Sequence, residues 1–217
     1  IELAEKALGK TYPNPLVGSV IVYDDRIIGE GFHKKAGEPH AEINAINSIK
    51  EEDIHLIPES TIYVSLEPCA HFGKTPPCAM KIKELGFKKV VIGAMDSHDK
   101  VNGKGKKIII DAGIEAISGV LEDECRQLNK RFFTYHERKR PFIILKWAES
   151  VDGFMDKDFQ PYQISNALSK QFVHQMRSEE HAILIGKNTA LHDNPSLTVR
   201  EIEGRNPIRI LIDFNLE

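Results

Sequence analysis

The chain has 217 residues, of which 41% are hydrophobic and 28% charged, and its net charge is −3. That is an ordinary globular composition for one large domain or two modest ones, and it carries no global signal for nucleic acid or a membrane surface. No apolar run reaches the roughly 18–20 residues that span a bilayer. No signal-peptide pattern is present, and 3 cysteines without framework spacing fit metal binding in a reducing, cytoplasmic setting better than disulfides.

Glu2 to Leu8 reads as the end of an amphipathic helix whose earlier residues are expected to be missing, and Gly9 and the Pro13-Asn14-Pro15 turn stop it. Val17 to Tyr23 is a β-branched run, and Asp24-Asp25 turns it into a second strand, Ile27 to Phe32. A helix opens at His40, with Ile43, Ile46 and Ile49 on its apolar face. Thr61 to Leu66 is a strand, Cys78 to Leu85 a helix ended by Gly86, and Lys89 to Ala94 a buried strand. Gly105 to Ala112 reads as a helix, Ile114 to Ser118 as a strand, and Leu121 to Tyr135 as one helix. The pattern is an α/β sandwich on a mixed sheet.

The charged stretch His136 to Pro141 marks a boundary, which places the domains at 1–138 and 139–217. A second α/β pattern follows: strand Phe142 to Leu145, helix Asn166 to Ser178, and strands Ala182 to Ile185 and Ile208 to Ile212. Those elements make a thin core for so short a stretch, so this domain is expected to be incomplete and to continue past Glu217.

The chemistry is concentrated in three places of the first domain. His40-Ala41-Glu42 comes first, then Glu67-Pro68-Cys69, then Cys78 after eight intervening residues. One imidazole and two thiolates form a soft donor set suited to Zn²⁺, and three ligands leave the fourth tetrahedral position for water. The His-x-Glu and Pro-Cys pairing is the signature of zinc deaminases. His40 and Cys78 fall at helix starts, where partial positive charge favours a thiolate. Glu42 alone would be an ordinary first-turn acid; two residues past a ligand, it is placed to handle the proton of the attacking water. A structural zinc site stays open, with His71 as the fourth ligand. Cys125 has no partner motif and reads as a structural cysteine.

Taken together, these motifs resemble the bacterial bifunctional riboflavin-biosynthesis deaminase/reductases. On the deaminase side the marks are Pro13 to Gly18, His40-Ala41-Glu42 and the Cys69–Cys78 stretch with Gly73-Lys74-Thr75-Pro76-Pro77. On the reductase side they are Arg140-Pro141, Leu145-Lys146, Ser150 to Gly153, His174 to Arg177, and Ala182-Ile183-Leu184-Ile185-Gly186 through Asp193 to Arg200. The resemblance implies a cytidine-deaminase-like three-layer domain followed by a partial dihydrofolate-reductase-like domain. It also implies two reactions: zinc-dependent hydrolysis of the 2-amino group of a diaminopyrimidinone ribosylamino 5′-phosphate, then reduction of the ribosyl to a ribityl chain by NADPH.

By the same resemblance, Glu42 is catalytic, and His40, Cys69 and Cys78 hold the metal. Asn14, His71, Lys74, Asp96 and His98 contact the deaminase substrate, with Lys74 on the phosphate and Asp96 on the ribose hydroxyls. In the reductase half, Lys146, Arg177, Leu197 and Arg200 meet the substrate, and Thr189 and Asp193 lie near NADPH. A homo-oligomer through the reductase domain is implied, and neither nucleic acid nor membrane.

The chain departs from the pattern twice. His98 stands where the family has an asparagine, and Pro161-Tyr162-Gln163 replaces a serine–tryptophan segment. Two other readings stay open: a deaminase whose reductase half is inactive, and a zinc-stabilised binding module. The second is motivated by lysines 81, 83, 88, 89, 104, 106 and 107, which lack the interleaved aromatics of a base-stacking platform.

Overall fold

The computed structural model describes residues 1–73, 76–98, 101–157 and 162–214. The chain divides into two compact units, Ile1–Phe142 and a second from Ile143 on.

The first unit is built on five strands: β1 (Gly18–Tyr23), β2 (Arg26–Phe32), β3 (Thr61–Leu66), β4 (Lys89–Ala94) and β5 (Glu115–Ser118). Their order across the sheet is β2-β1-β3-β4-β5. β1 pairs antiparallel with β2 and β3, whereas β3–β4 and β4–β5 are parallel. The β1–β2 turn is made by Asp24 and Asp25 at φ 45° and 59°, the double left-handed conformation that matches strand twist in a two-residue hairpin. Acidic residues tolerate that region better than most.

Helices α1 (Glu2–Glu5), α2 (Ala41–Asn47), α3 (Cys78–Leu85), α4 (Lys104–Asp111), α5 (Glu122–Leu128) and α6 (Lys130–Arg138) flank the sheet. The main core joins Ala45 of α2, Ala79 and Ile82 of α3 and Ile109 of α4 to Ile21, Ile62, Val64, Val90 and Ile92 of the sheet. Alternate residues carry the opposite layer. Gly93 of β4 lies against Cys125 of α5, and Gly18 of β1 against Ala4 of α1. The result is the mixed-sheet, three-layer α/β arrangement of cytidine-deaminase-like domains. Gly86 ends α3 at φ 66°, accepting the left-handed cap that L side chains resist.

Three differences from the sequence reading have physical causes. The helix expected over Leu121–Tyr135 breaks at Asn129. The Asn129 side chain accepts the N–H of Leu16 and donates to its carbonyl, both at 2.8 Å, across 113 residues. A 3₁₀ segment, Glu51–Glu59, also fills a stretch left unassigned, with Pro58 inside it. In the second unit, the strand expected at Phe142–Leu145 is not formed. A strand needs a ladder partner, and among the described residues β6 (Ala182–Gly186) pairs in parallel with β7 (Ile208–Ile212) alone. Ile143 and Leu145 are 61% and 77% exposed. Helix α7 (Ala167–Glu179) is capped by the Asn166 side chain accepting the Ser169 N–H, and α8 (Lys187–Asp193), which periodicity did not mark, follows β6 directly. No helix among the described residues is long and apolar enough to cross a membrane.

Gly29 and Gly31 let α2 lie directly on β2. A Cβ on Gly31 would sit 2.4 Å from the Ala45 nitrogen and 2.6 Å from the Asn44 carbonyl carbon, both backbone atoms. Gly31→Ala is therefore expected to cost about 1–3 kcal/mol of stability, as overpacking does, and to weaken metal binding, because His40 immediately precedes α2. Urea unfolding with an unchanged slope, together with metal titration, measures both.

Candidate functional site

His40 immediately precedes α2 in extended conformation (φ −70°, ψ 166°). Cys78 is the first residue of α3, and Cys69 lies in the loop after β3. His40 Nδ1 is 3.5 Å from Cys69 Sγ and 3.4 Å from Cys78 Sγ. All three donor atoms lie within 4.8 Å of one another. Zinc bonds of about 2.3 Å to sulfur and about 2.0 Å to nitrogen, at a tetrahedral angle, require an N···S separation of about 3.5 Å. The donor set therefore fits one zinc ion in both type and size. Among the described residues no fourth ligand joins it; His71 is exposed and stands outside the cluster. Such a site keeps a coordination position for water.

The surrounding polarity agrees with that reading. The Cys78 main-chain N–H donates to Cys69 Sγ at 3.2 Å. Hydrogen bonding from Cys78, then from His40, lowers the Cys69 thiol well below its ordinary range against the cost of burial. Cys78 shifts upward in return, because it holds the shared proton. His40 is raised, first by its hydrogen bond to Cys69. Glu42, in the first turn of α2, is only 3% exposed. Burial, followed by the neighbouring Cys69 charge, pushes its carboxyl up to about 7.

Asn14 lies in the loop before β1, and its orientation is set by a residue the sequence reading did not single out. His33, 3% exposed at the end of β2, has Nδ1 3.1 Å from the Pro39 carbonyl and Nε2 3.1 Å from Asn14 Nδ2. A carbonyl oxygen only accepts, so the neutral ring carries its proton on Nδ1 and Nε2 becomes an acceptor. The Asn14 group facing it must then be the NH₂, which leaves the Asn14 carbonyl oxygen free. Burial lowers the His33 pKa and keeps the ring neutral. The signal available in sequence was a histidine directly after β2.

Asp96 follows β4, is 7% exposed, and is raised to about 6, first by burial. Its Oδ1 accepts the His98 N–H at 2.7 Å. The His98 ring lies 6.5 Å from that of His71, with 21° between their planes, and 4.7 Å from that of His136 on α6. His136, read as part of a boundary, thus belongs to the surroundings of the site. Lys74 lies outside the described residues, as does Pro161 of the altered segment. Several lysines of the basic clusters are paired locally: Lys81 with Glu84, Lys89 with Glu115, and Lys107 with Asp111.

In the second unit, Arg177, Leu197 and Arg200 come together. Arg177 Nη1 donates to the Thr198 carbonyl at 3.2 Å, and the Arg200 N–H donates to His174 Nδ1 at 3.2 Å. Burial, then Arg200, lowers the Arg177 pKa. Leu197 is buried at φ 54°, a left-handed conformation costly for a branched residue. Thr189 lines a cavity of about 410 Å³ with Lys187 and Asp213, while Asp193, at the end of α8, does not line it. Lys146 is exposed in a stretch without strand pairing, so it does not end a strand as the sequence suggested.

Residues 1–94 match the family model for the cytidine and deoxycytidylate deaminase zinc-binding region, and residues 141–217 match that of the RibD C-terminal domain. The riboflavin biosynthesis protein RibD of Aquifex aeolicus is 43% identical over 100% of this chain and 60% of its own length. That of Synechocystis is 42% identical, over 100% and 58%. The crystal structure of a diaminohydroxyphosphoribosylaminopyrimidine deaminase/5-amino-6-(5-phosphoribosylamino)uracil reductase from Thermotoga maritima is 47% identical. It superposes with a TM-score of 0.88 over 98% of this chain and 60% of that one. The chain thus spans about three-fifths of the length of these relatives.

The raised Glu42 pKa fixes the sign of a pH effect in the metal-free protein. The unfolded carboxyl ionises near 4.5, whereas the folded one keeps its proton up to about 7. On account of Glu42 alone the native state binds more protons across that window, so this residue's contribution to stability falls as pH rises through it, by on the order of 3 kcal/mol. Chemical unfolding of the chelator-treated wild type and Glu42→Gln, each at pH 4.5 and pH 7.5, isolates it: the wild type should lose stability relative to the variant between the two pH values.

Proposed function

Since the chain belongs to the RibD family of riboflavin biosynthesis proteins, we propose that residues 1–138 hydrolyse the 2-amino group of 2,5-diamino-6-ribosylamino-4(3H)-pyrimidinone 5′-phosphate. We further propose that residues 139–217 contribute to NADPH reduction of the ribosyl chain. The observation that carries the deaminase reading is the open His40–Cys69–Cys78 donor set with a buried acid, Glu42, beside it.

When bound, zinc supplies a Lewis acid that lowers the pKa of a coordinated water toward neutrality. Glu42 accepts one proton of the attacking water and gives it to the ring nitrogen; it then takes the second, from the newly formed hydroxyl, and gives it to the amine, so that the C–N bond breaks as the carbonyl forms and ammonia leaves. A carboxyl near 7 can do both at physiological pH, since it is neither too weak a base nor too weak an acid. The Asn14 carbonyl oxygen, on the side of the amide opposite its contact with His33, accepts a hydrogen bond from a pyrimidine N–H or amino group. Asp96 takes the ribose hydroxyls. His71 and His98 contact the substrate, and the phosphate is assigned to Lys74, which is outside the described residues.

In the second unit, Arg177 and Arg200 hold the substrate phosphate, since guanidinium forks match it, with Leu197 flanking them. Lys146 reaches the same substrate. Thr189, with Asp193 on the same helix, attends NADPH. The reading includes a cytoplasmic setting and a homo-oligomer formed through the reductase half.

Elemental analysis and an ammonia-release assay on one sample test the deaminase reading. About one zinc per chain with turnover is expected, and Glu42→Gln should retain zinc and lose the activity; full activity in that variant would remove Glu42 from the proton transfer. His33→Phe keeps the ring volume but withdraws the acceptor from Asn14. It should raise KM about ten-fold, the worth of one well-made hydrogen bond, with zinc content unchanged.

A further inference from the structure

Glu67 has no part in the chemistry above, yet its surroundings are unusual. It lies immediately before Pro68-Cys69 and is 4% exposed. A buried carboxylate is tolerated only where hydrogen bonds replace water. Here the replacement is three main-chain N–H groups: those of Asp96 at 3.3 Å, Gly103 at 2.9 Å and Lys106 at 3.0 Å.

Gly103 precedes α4 and Lys106 is its third residue, so Glu67 serves from a distance as the cap of a helix that has no side-chain cap of its own. The third amide is that of Asp96 itself. The contact is reinforced at Gly105, where a Cβ would stand 1.9 Å from the Pro68 carbonyl oxygen and 3.2 Å from Glu67 Oε1. The first turn of α4 therefore lies directly on the two residues leading to Cys69. One carboxylate ties both ends of the Asp96–Lys106 segment to the chain that carries a metal donor.

We propose that Glu67 is a positioning residue that fixes Asp96 relative to the metal centre and thereby sets recognition of the sugar portion of the substrate. The inference rests on the deaminase reading above. An acid with a purely structural role would affect every ligand equally; one that sets the place of Asp96 affects only those that reach it.

The test uses the 217-residue protein loaded with zinc, and Glu67→Gln, which keeps the volume but turns an NH₂ toward N–H groups. Turnover of the ribosylamino phosphate is measured together with competitive inhibition by ribose 5-phosphate and, separately, by the sugar-free triaminopyrimidinone. For Glu67→Gln, KM and the ribose 5-phosphate inhibition constant are expected to rise about ten-fold, as for loss of a charge-assisted hydrogen bond. The constant for the sugar-free ring, kcat and zinc content should stay within about two-fold.

Gly105→Ala reaches the same joint without touching the carboxylate, by driving α4 off Pro68, and should give the same selective pattern. It decides the matter if Glu67→Gln does not fold. Equal weakening of both inhibitors, loss of zinc, or unchanged constants in either folded variant would overturn the proposal. A wild-type protein that binds zinc but releases no ammonia would instead overturn the deaminase reading itself.

Discussion

The first unit depends on two helix beginnings meeting at one point. His40 stands at the head of α2 and Cys78 at the head of α3, with their donor atoms 3.4 Å apart. Neither helix is long enough to be stable alone, so packing must hold both heads in place. Gly29 and Gly31 admit α2 to within backbone contact of β2, and Ala79 and Ile82 bury α3 in the main core. Once those contacts exist, Glu42 falls beside the metal donors because it lies two residues past His40, in the first turn of α2. The Cys78 amide, free because it opens a helix, is likewise available to Cys69.

Three buried acids surround this point, and each meets the cost of burial in a different way. Glu67 exchanges water for three peptide N–H groups. Glu42, within reach of Cys69, keeps its proton toward neutral pH. Asp96 accepts the N–H of His98 and is raised to about 6, first by burial and with Glu67 among its neighbours. Peptide N–H donors fix the place of the Glu67 carboxylate, whereas burial keeps Glu42 and Asp96 protonated to higher pH.

Much of this was legible in the residues. Strand alternation and β-branched runs located β1 to β5 closely, because each is bounded by glycine, proline or charged turns. The donor trio was legible because metal chemistry restricts both residue type and spacing. What escaped was whatever depends on contacts between distant segments. Asn129 breaks a helix that periodicity runs straight through, in order to pair with Leu16. His33 acquires meaning only when Asn14 and Pro39 arrive on either side of it. Glu67 was visible as part of a motif, but its three partners lie 29 to 39 residues away. The Phe142–Leu145 stretch shows the opposite error: its composition suits a strand, yet composition cannot supply a neighbour to pair with.

The second unit has little of the first unit's burial, yet its sharpest feature follows the same electrostatic logic. Arg177 and Arg200 are close enough for Arg200 to contribute to the lowered pKa of Arg177, after burial. Leu197, between them in sequence, is held in a left-handed conformation. Two like charges and a strained buried residue are each unfavourable, and a fold keeps such features together only where surrounding contacts or a ligand offset them. Here the contacts are to neutral groups: Arg177 Nη1 donates to the Thr198 carbonyl, Arg200 Nη1 to Ser196 Oγ, and the Arg200 main-chain N–H to His174 Nδ1. An anion placed between the guanidiniums would reverse the sign of their interaction, turning mutual repulsion into a shared attraction. That is why this cluster, rather than the cavity beside Thr189, is the place to expect a phosphate.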